Sequence, residues 1–303
     1  MNLSIVGTSS IVKQHIVAAV ANGFTLVDIC TTNKKSKNLK KLYKDFKFKK
    51  KFYSTNEMLR YHKSNNIKCF YLIACRINDL VKISETFLEQ KKVCLIEKPV
   101  SIELKKIKKL LKYENQIFVG YNRIFYSSIE KIKKMKMKNR LIKIQSIEKN
   151  KKSFLENSCH IISIINYLFN IKKIKKIVST KSFKIVTMED NFKNFFVMHI
   201  FFNANKNFSI EFFGSKNNVK LKPIEKLFKF DKIKKIRKLN ENFYIENKKL
   251  MLNEYNTNKF KPGFFEMWKN FKKFTKIQNS GLIRTNIKFA ENVMKISNKI
   301  INA

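Results

Sequence analysis

Short apolar runs alternate with helical patterns over the first 120 residues of the chain. Each run has the length of a strand, and between the runs apolar residues recur three and four positions apart, as on one face of a helix. The predicted strands are Leu3–Val6, Thr25–Thr31, Cys69–Ala74, Val93–Ile96 and Ile117–Tyr121. The predicted helices are Ile11–Ala21, Leu39–Phe46, Asn56–His62, Leu80–Gln90 and Ile102–Lys112. This alternation is typical of βαβ units and predicts a doubly wound parallel sheet over residues 1–120.

The pattern changes after about residue 125, where alternating and aromatic runs follow one another with few helices between them. The predicted strands here are Leu141–Ile147, Ile174–Phe183, Phe195–Phe202, Phe208–Phe213 and Val219–Leu221. The predicted helical segments are Leu155–Phe169, Phe264–Ile277 and Arg284–Ile301. We therefore predict a second, α+β domain over residues 121–303, built on an open, mostly antiparallel sheet.

The composition adds a strong positive charge to this picture. The 303 residues carry a formal net charge of +43, and 44% of them are hydrophobic, so the chain can still bury a substantial core. Only six of the 65 basic residues are arginine, the side chain that readers of bases and phosphates favour. We therefore predict no specific nucleic-acid partner. A protein that binds polyanions through charge alone, with salt-sensitive affinity, remains an alternative.

The cysteines and histidines suggest neither a disulfide framework nor a metal site. The five cysteines follow no disulfide or zinc-ligand spacing, and the four histidines are scattered, so no metal is predicted. No apolar stretch approaches the roughly 18 residues of a membrane span, so no membrane contact is predicted. The first apolar residues have no basic run before them and read as a strand rather than a signal peptide. These features predict a cytoplasmic protein.

The pentapeptide EKPVS follows the predicted strand that ends at Ile96 and precedes a predicted helix. Lys98 is thereby placed at the carboxyl end of a buried strand, which is the edge where open α/β sheets bind ligands. Pro99 restrains Lys98 to extended backbone geometry. Lys98 is therefore a candidate catalytic residue. The alternative, for one lysine among so many, is a solvated side chain.

The loop after the first strand reads GTSSIV from Gly7 to Val12, where a dinucleotide-binding sheet carries GxGxxG. Gly7 is the first of those glycines, whereas Ser9 and Val12 occupy the other two places. A serine can donate to phosphate, and the start of the next helix offers free N–H groups. Gly7, Ser9, Ser10 and Ile11 are the candidate cofactor ligands. The alternative is an ordinary strand-to-helix turn without a ligand.

Hydroxyl and lysine side chains follow the second predicted strand. An NAD-binding sheet normally has a carboxylate there that grips the adenosine ribose, but this chain has Thr31, Thr32, Asn33 and Lys34. Asp28 lies inside the strand instead. Because hydroxyls and a lysine suit a 2′-phosphate better than a bare 2′-hydroxyl, the sequence favours NADP over NAD.

A carboxylate and an imidazole stand four residues apart near the start of the predicted helix Leu155–Phe169. Glu156 and His160 share one helical face at this spacing and can act as an acid/base pair, with the carboxylate orienting the ring. The alternative is a capping glutamate beside a surface histidine.

Taken in order, these segments resemble the Gfo/Idh/MocA oxidoreductases, the family that includes glucose–fructose oxidoreductase and inositol dehydrogenase. The EKP motif and the ExxxH pair carry the resemblance, since LENSCHIISIINYLFN is similar to the family's DxxxH helix. The glycine loop with its following histidine (GTSSIVKQH), the stretch from IACRINDL to LIEKPVS, the crossover VGYNRIF and the sheet segment IEFFGSKNNVKLKP support it by order and spacing.

The resemblance implies a Rossmann domain joined to an α+β domain, with the C-terminal helices packing back on the first domain. It implies hydride transfer between NADP or NAD and a hydroxyl carbon of a carbohydrate, a polyol or a nucleotide-linked sugar. It also implies a homo-oligomer through the second-domain sheet. The implied catalytic residues are Lys98, His160 as general base, and Glu156. Ala74, Glu97 and Lys98 are further implied cofactor contacts, and the implied substrate contacts are Lys98, His160, Tyr121 and Arg123.

The chain also departs from the family pattern, which leaves a second function open. Two loop glycines are absent, the turn after the strand Cys69–Ala74 lacks its proline, and Leu80, Ser163 and Ile124 replace residues common in the family. A catalytically silent relative that binds a nucleotide or serves as a scaffold is therefore the alternative.

Overall fold

A computed structural model describes residues 1–135, 140–204, 208–214, 218–230, 234–238, 241–245, 247–257 and 259–303. It divides into two compact units. The first comprises Met1–Phe125 and Gly263–Lys295, and the second comprises Tyr126–Pro262 and Ile296–Ala303.

The strands within the described residues are β1 Asn2–Val6, β2 Thr25–Cys30, β3 Lys50–Phe52, β4 Phe70–Ile73, β5 Cys94–Ile96, β6 Ile117–Val119, β7 Leu141–Glu148, β8 Lys173–Ser179, β9 Phe183–Glu189, β10 Phe195–Phe202, β11 Ser209–Phe213, β12 Asn218–Leu221, β13 Lys226–Phe230, β14 Lys234–Lys238, β15 Glu241–Ile245 and β16 Lys248–Asn253. The α-helices are α1 Val12–Ala21, α2 Lys37–Asp45, α3 Thr55–Ser64, α4 Ile77–Leu88, α5 Leu104–Lys109, α6 Ser127–Lys134, α7 Lys151–Ser153, α8 Cys159–Phe169, α9 Glu254–Thr257, α10 Phe264–Ile277 and α11 Ile287–Asn302. The 3₁₀ helices are Leu111–Gln116, Asn122–Phe125 and Ser280–Leu282, and Phe154–Ser158 is a π-helix.

In the described part of the first unit, six parallel strands form one sheet in the order β3-β2-β1-β4-β5-β6. This order confirms the predicted doubly wound parallel sheet and reverses direction between β1 and β4. The strands β4, β5 and β6 are short, and all of their residues except the half-buried Phe70 are buried, as their apolar runs predict. The strand β3 was not predicted because Phe52 is its one buried residue.

Aromatic packing places α10 in the first unit, against α1 and the residues that follow it. The ring of Trp268 lies 5.1 Å from that of Phe24, and Phe271 stacks on Phe24 at 5.9 Å. Lys272 Nζ donates to the Asn22 carbonyl at 2.7 Å. Residues 121–125 and 263–295, which the sequence analysis assigned to the second domain, therefore belong to the first unit.

In the described part of the second unit, eight strands form a mixed sheet in the order β16-β13-β12-β11-β7-β10-β9-β8. The β7–β10 pair is parallel and the other described pairs of this sheet are antiparallel, which confirms the predicted mostly antiparallel sheet. The predicted single strand Ile174–Phe183 was wrong, because it spans parts of β8 and β9. Thr180 Oγ1 accepts from the backbone N–H groups of Ser182 and Phe183 and so closes a turn between the two strands.

The two faces of this sheet differ in exposure. Phe196 and Phe212 point to the face that carries Phe169 of α8, with ring distances of 5.2 and 6.1 Å. On the opposite face the strand registers align Phe213, Leu141 and Phe195 in one row, and these side chains are 38–45% exposed. Within the described residues of the chain, no helix is long and apolar enough to cross a bilayer.

Candidate functional site

A cavity of about 520 Å³ opens at the carboxyl edge of the first unit's sheet, where β1 and β4 lie side by side. In an open α/β sheet, the point where the strand order reverses is where ligands bind. The cavity is lined by Gly7, Thr8, Ser9, Thr31, Thr32, Asn33, Ser36, Asn38, Ala74, Cys75, Arg76, Asp79 and Ile83. Six predicted cofactor residues thus meet in one cavity: Gly7, Ser9, Thr31, Thr32, Asn33 and Ala74.

Gly7 is required by the way β1 and β4 come together. Its φ is +113°, a region that L side chains rarely adopt, and a Cβ there would lie 2.2 Å from the Ala74 carbonyl oxygen. Its N–H donates to the Cys30 carbonyl at 2.8 Å, and the Ala74 N–H donates to the Val6 carbonyl at 2.8 Å. The loop therefore contacts the end of β4 through backbone atoms alone at Gly7, where the two segments are closest.

Side-chain hydrogen bonds hold the rest of this loop in the absence of the second and third glycines. Ser9 Oγ donates to the Ala74 carbonyl at 3.2 Å. Thr8 and Ser36 pair through their hydroxyls at 3.0 Å, and Asn38 Nδ2 donates to the Thr8 carbonyl at 2.9 Å. Ser36 and Asn38, at the start of α2, are cavity residues that the sequence analysis did not predict.

The start of α1 lies next to this loop. Its N-cap residue is Ile11, and no side chain among the described residues caps the helix. The first turn of a helix carries the positive end of the helix dipole, which suits an anion, although the N–H groups of Val12 and Gln14 here already donate to the carbonyls of Ser9 and Ile11, both at 3.0 Å. Ser10 is exposed and Ile11 half-buried; neither lines the cavity.

The end of β2 contributes hydroxyl and amide groups to the cavity. Thr31 Oγ1 accepts from the Asn33 N–H at 3.3 Å, and Asn33 Oδ1 accepts from the Lys35 N–H at 3.0 Å, so this turn is shaped by its own side chains. Lys34 is exposed and lies outside the cavity lining. Among the described residues that line the cavity, Asp79 is the one carboxylate.

The carboxylate of Asp28 is buried in the core and does not line the cavity. Tyr71 Oη lies 2.8 Å from His62 Nδ1, and His62 Nε2 lies 2.8 Å from Asp28 Oδ2. Burial raises the pKa of Tyr71, so its hydroxyl stays protonated and donates to Nδ1. The imidazole then donates from Nε2 to the carboxylate.

Cys75 forms part of the cavity wall at the turn after β4. Burial raises the pKa of its thiol to about 12, with a further contribution from the charge of Asp79. The thiol is therefore neutral at physiological pH and presents a weakly polar surface rather than a nucleophile.

The EKP segment lies at the end of β5, beside this edge. Glu97 does not line the cavity; its Oε1 lies 2.6 Å from Nε2 of the buried His15, and its Oε2 accepts the Lys98 N–H at 3.0 Å. The Lys98–Pro99 peptide bond is cis, and Lys98 is half-buried. No role was predicted for His15, because its partner lies 82 residues away in the chain.

The predicted substrate contacts Tyr121 and Arg123 follow β6. Tyr121 is buried, with its ring 5.6 Å from that of Phe289 in an edge-on arrangement. Arg123 is half-buried on the 3₁₀ helix Asn122–Phe125.

Glu156 and His160 belong to the second unit. Glu156 lies in the π-helix Phe154–Ser158 and is 3.9 Å from Lys152 Nζ, and His160 is in the first turn of α8. One continuous helix, Leu155–Phe169, was predicted here. A π-turn inserts an extra residue in a helix and occurs frequently at functional sites.

A buried carboxylate holds the end of this π-helix. Ser158 Oγ donates to Glu148 Oε1 at 2.5 Å, Asn157 Nδ2 donates to Oε2 at 3.3 Å, and Ser146 Oγ lies 2.6 Å from Ser158 Oγ. Because a buried carboxylate needs its donors, this network fixes the backbone from which Glu156 and His160 extend.

The substitution Ser158→Ala should lower the free energy of unfolding by about 2 kcal/mol. It leaves a buried carboxylate oxygen of Glu148 without its closest donor, and such groups cost about 1–3 kcal/mol. Chemical denaturation measures the change. The exposed Ser127→Ala of the same unit is the control and should change stability by less than about 0.5 kcal/mol. Equal effects of the two substitutions would contradict the role of the network.

No protein-family model matches this chain, and no curated protein sequence matches it either. Solved structures do match. A dehydrogenase from Chromobacterium violaceum has a TM-score of 0.78 at 10% identity, over 100% of this chain and 94% of that one. UDP-N-acetylglucosamine 3-dehydrogenase from Acidithiobacillus ferrooxidans has a TM-score of 0.74 at 10% identity, covering 100% and 97%.

A third match is the WlbA dehydrogenase from Bordetella pertussis, whose structure contains NADH and UDP-GlcNAcA. Its TM-score is 0.69 at 13% identity, over 100% of this chain and 95% of that one. The chain therefore has the two-part fold of these dehydrogenases over its whole length. The fold that the family resemblance implied is confirmed.

Proposed function

We propose that this protein is an NAD(P)-dependent oxidoreductase, a divergent relative of the Gfo/Idh/MocA enzymes. It transfers a hydride between nicotinamide and a hydroxyl carbon of a sugar, a polyol or a nucleotide-linked sugar. The observation that carries the proposal is the cavity at the β1–β4 switch point, with Gly7 at its tightest point. The dehydrogenase fold of the structural matches supports it.

The residues of the cavity fit a dinucleotide. Gly7 lets the loop pass close against the Ala74 backbone, which keeps the loop out of the space that a pyrophosphate would use, and Ser9, Ser10 and Ile11 at the start of α1 would donate to the pyrophosphate. Thr31, Thr32, Asn33 and Lys34 would hold the adenosine ribose, and Ala74 would border the same site. Since Asp79 is the one carboxylate of the described lining, the cavity accepts the extra charge of a 2′-phosphate, and we favour NADP over NAD.

Bound nicotinamide would supply the hydride acceptor or donor, and the protein would supply the proton transfer. Removal of hydride from an alcohol requires simultaneous removal of the hydroxyl proton. We assign His160 as the general base, since an imidazole titrates near physiological pH. Glu156 would orient His160, and Lys98 would contact the substrate hydroxyl and the nicotinamide ribose. Tyr121 and Arg123 would contact the rest of the substrate.

The substrate class follows from the fold relatives rather than from the pocket. Two of the matched proteins are named for, or bound to, UDP-linked amino sugars or their acids. We therefore propose a carbohydrate substrate. We further propose a cytoplasmic location and a homo-oligomer, whose interface covers the partly exposed row of Phe213, Leu141 and Phe195.

A screen for hydride transfer tests this function. Purified protein is incubated with each oxidised and reduced dinucleotide and a panel of polyols, free sugars and UDP-linked sugars, while the absorbance of reduced nicotinamide is followed. Turnover of at least one compound is expected. Dinucleotide binding without turnover of any compound would favour the catalytically silent relative. Weak binding of every polyanion, lost as salt rises, would favour a protein that binds polyanions through charge alone.

A further inference from the structure

We propose that His15 is a positioning residue for Lys98 and acts through the carboxylate of Glu97. The inference rests on the proposed function only in the role of Lys98. Its geometry lies entirely within the first unit and involves three elements: α1, the segment after β5, and α10.

A chain of hydrogen bonds runs from the core to the backbone of Lys98. Trp268 Nε1 donates to His15 Nδ1 at 3.2 Å, and His15 Nε2 lies 2.6 Å from Glu97 Oε1. The other carboxylate oxygen, Oε2, accepts the Lys98 N–H at 3.0 Å. Each heavy-atom pair is within ordinary hydrogen-bond distance, and together they join α10 to the candidate catalytic lysine.

The indole determines which tautomer the imidazole adopts. An indole N–H can only donate, so Nδ1 of His15 must accept. The ring proton is then on Nε2, from which it donates to the carboxylate of Glu97. His15 thus presents a donor to Glu97 and to nothing else, which is what an orienting group requires.

The surroundings leave Glu97 little freedom to rotate. The side chain of His15 is wholly buried and that of Glu97 is 12% exposed. A Cβ on Gly120 would lie 3.1 Å from Glu97 Oε1, so the chain has a glycine where the carboxylate passes. The ring of Phe264 packs edge-on against His15 at 4.8 Å. Without the His15 donor, the mostly buried carboxylate would have to turn toward water, and the Lys98 N–H would lose its acceptor.

The functional consequence is a displaced lysine. Lys98 leaves the sheet directly after Glu97, so its ammonium is directed by the backbone that the carboxylate holds. A misplacement of about 1 Å in a group that contacts the substrate can reduce turnover by about 10²-fold. The displaced lysine also loses its proposed contact with the nicotinamide ribose, so dinucleotide binding should weaken, but less than turnover does, because the loop at Gly7 and the end of β2 keep their contacts.

Two substitutions of nearly the same size separate positioning from packing. His15→Gln keeps an N–H that can reach Glu97, whereas His15→Met fills similar space without a donor. For His15→Met we expect hydrogen exchange of the Lys98 amide in the ligand-free protein to accelerate about tenfold, as for loss of one hydrogen bond. We also expect kcat to fall about 10²-fold, whereas the Kd for the dinucleotide should rise by no more than about tenfold, as for the loss of one hydrogen bond to the nicotinamide ribose. His15→Gln should restore slow exchange and most of kcat.

The exchange measurement needs no substrate, so the inference and the proposed function can fail separately. The positioning role would be overturned if the Lys98 amide exchanged as slowly in His15→Met as in the unsubstituted protein. It would also be overturned if His15→Gln and His15→Met lost kcat equally. Absence of turnover in the unsubstituted protein would contradict the proposed function, and the exchange comparison would still decide whether His15 holds Lys98. If His15→Met does not fold, Glu97→Gln, whose one carbonyl oxygen cannot accept from both the His15 Nε2–H and the Lys98 N–H, must accelerate the same exchange for the inference to stand.

Discussion

Gly7→Ala is expected to abolish dinucleotide binding and to lower the free energy of unfolding by more than about 2 kcal/mol. The new Cβ would lie 2.2 Å from the Ala74 carbonyl oxygen, and backbone atoms cannot move aside as a flexible side chain can. The backbone also has a φ of +113°, and strain of that kind costs about 1–3 kcal/mol. The loop must therefore shift away from β4 and into the space that a pyrophosphate would use. Calorimetric titration and chemical denaturation measure the two effects.

Gly23→Ala is the matched control for this substitution. Gly23 also has a positive φ, of +83°, but the nearest atom to its added Cβ is the flexible end of Lys272 at 3.2 Å. Backbone strain in Gly23→Ala should lower the free energy of unfolding by about 1–2 kcal/mol, and the variant should keep its affinity for the dinucleotide. If Gly7→Ala bound the dinucleotide as tightly as Gly23→Ala did, the cavity at the β1–β4 switch point would not be the cofactor site.

Lys98→Ala and His160→Ala should each reduce kcat by about 10³-fold without loss of the fold. General acid–base groups contribute about 10²–10⁴-fold to turnover, and His160 is the proposed base. Lys98 would lose its contact with the substrate hydroxyl. The dinucleotide Kd should stay within about threefold for His160→Ala, since that residue has no proposed cofactor contact. Steady-state kinetics with the substrate found in the screen gives both parameters.

Controls for these two substitutions lie in the same units. Lys108→Ala removes an exposed lysine from α5, and His199→Ala removes a half-buried histidine from β10. Neither should change kcat by more than about twofold. Unchanged turnover in Lys98→Ala and in His160→Ala would show that the assigned mechanism is wrong, even if the protein is an oxidoreductase.

Five of the six strands described in the first unit were predictable because each is a compact apolar run bordered by polar residues. The strand β3 was not predictable, since Phe52 is its one buried residue. The turn between β8 and β9 was missed because the run Ile174–Phe183 contains no glycine or proline, and a threonine hydroxyl makes the turn. The π-helix at Phe154–Ser158 keeps the apolar spacing of an α-helix, so the periodicity could not reveal it.

The candidate cofactor residues were predictable wherever they follow a strand directly. Gly7, Thr31 and Ala74 come immediately after β1, β2 and β4, and parallel strands bring their carboxyl ends to one edge. Ser36 and Asn38 come to the cavity only through hydrogen bonds to Thr8, which no local pattern encodes. The same holds for the bond between His15 and Glu97, which depends on how α1 packs on the sheet. Contacts between distant residues thus account for most of what the sequence could not show.

Calorimetric titration of the protein with NADPH, NADH and ATP at moderately high salt tests the central claim most directly. We expect NADPH to bind selectively and more tightly than NADH, and we expect its affinity to persist at high salt, because hydrogen bonds at Gly7 and the end of β2 are screened less than long-range charge attraction. Equal and weak binding of all three compounds, fading together as salt rises, would contradict this expectation and would show that the protein attracts these anions through its net charge and has no cofactor site in the cavity.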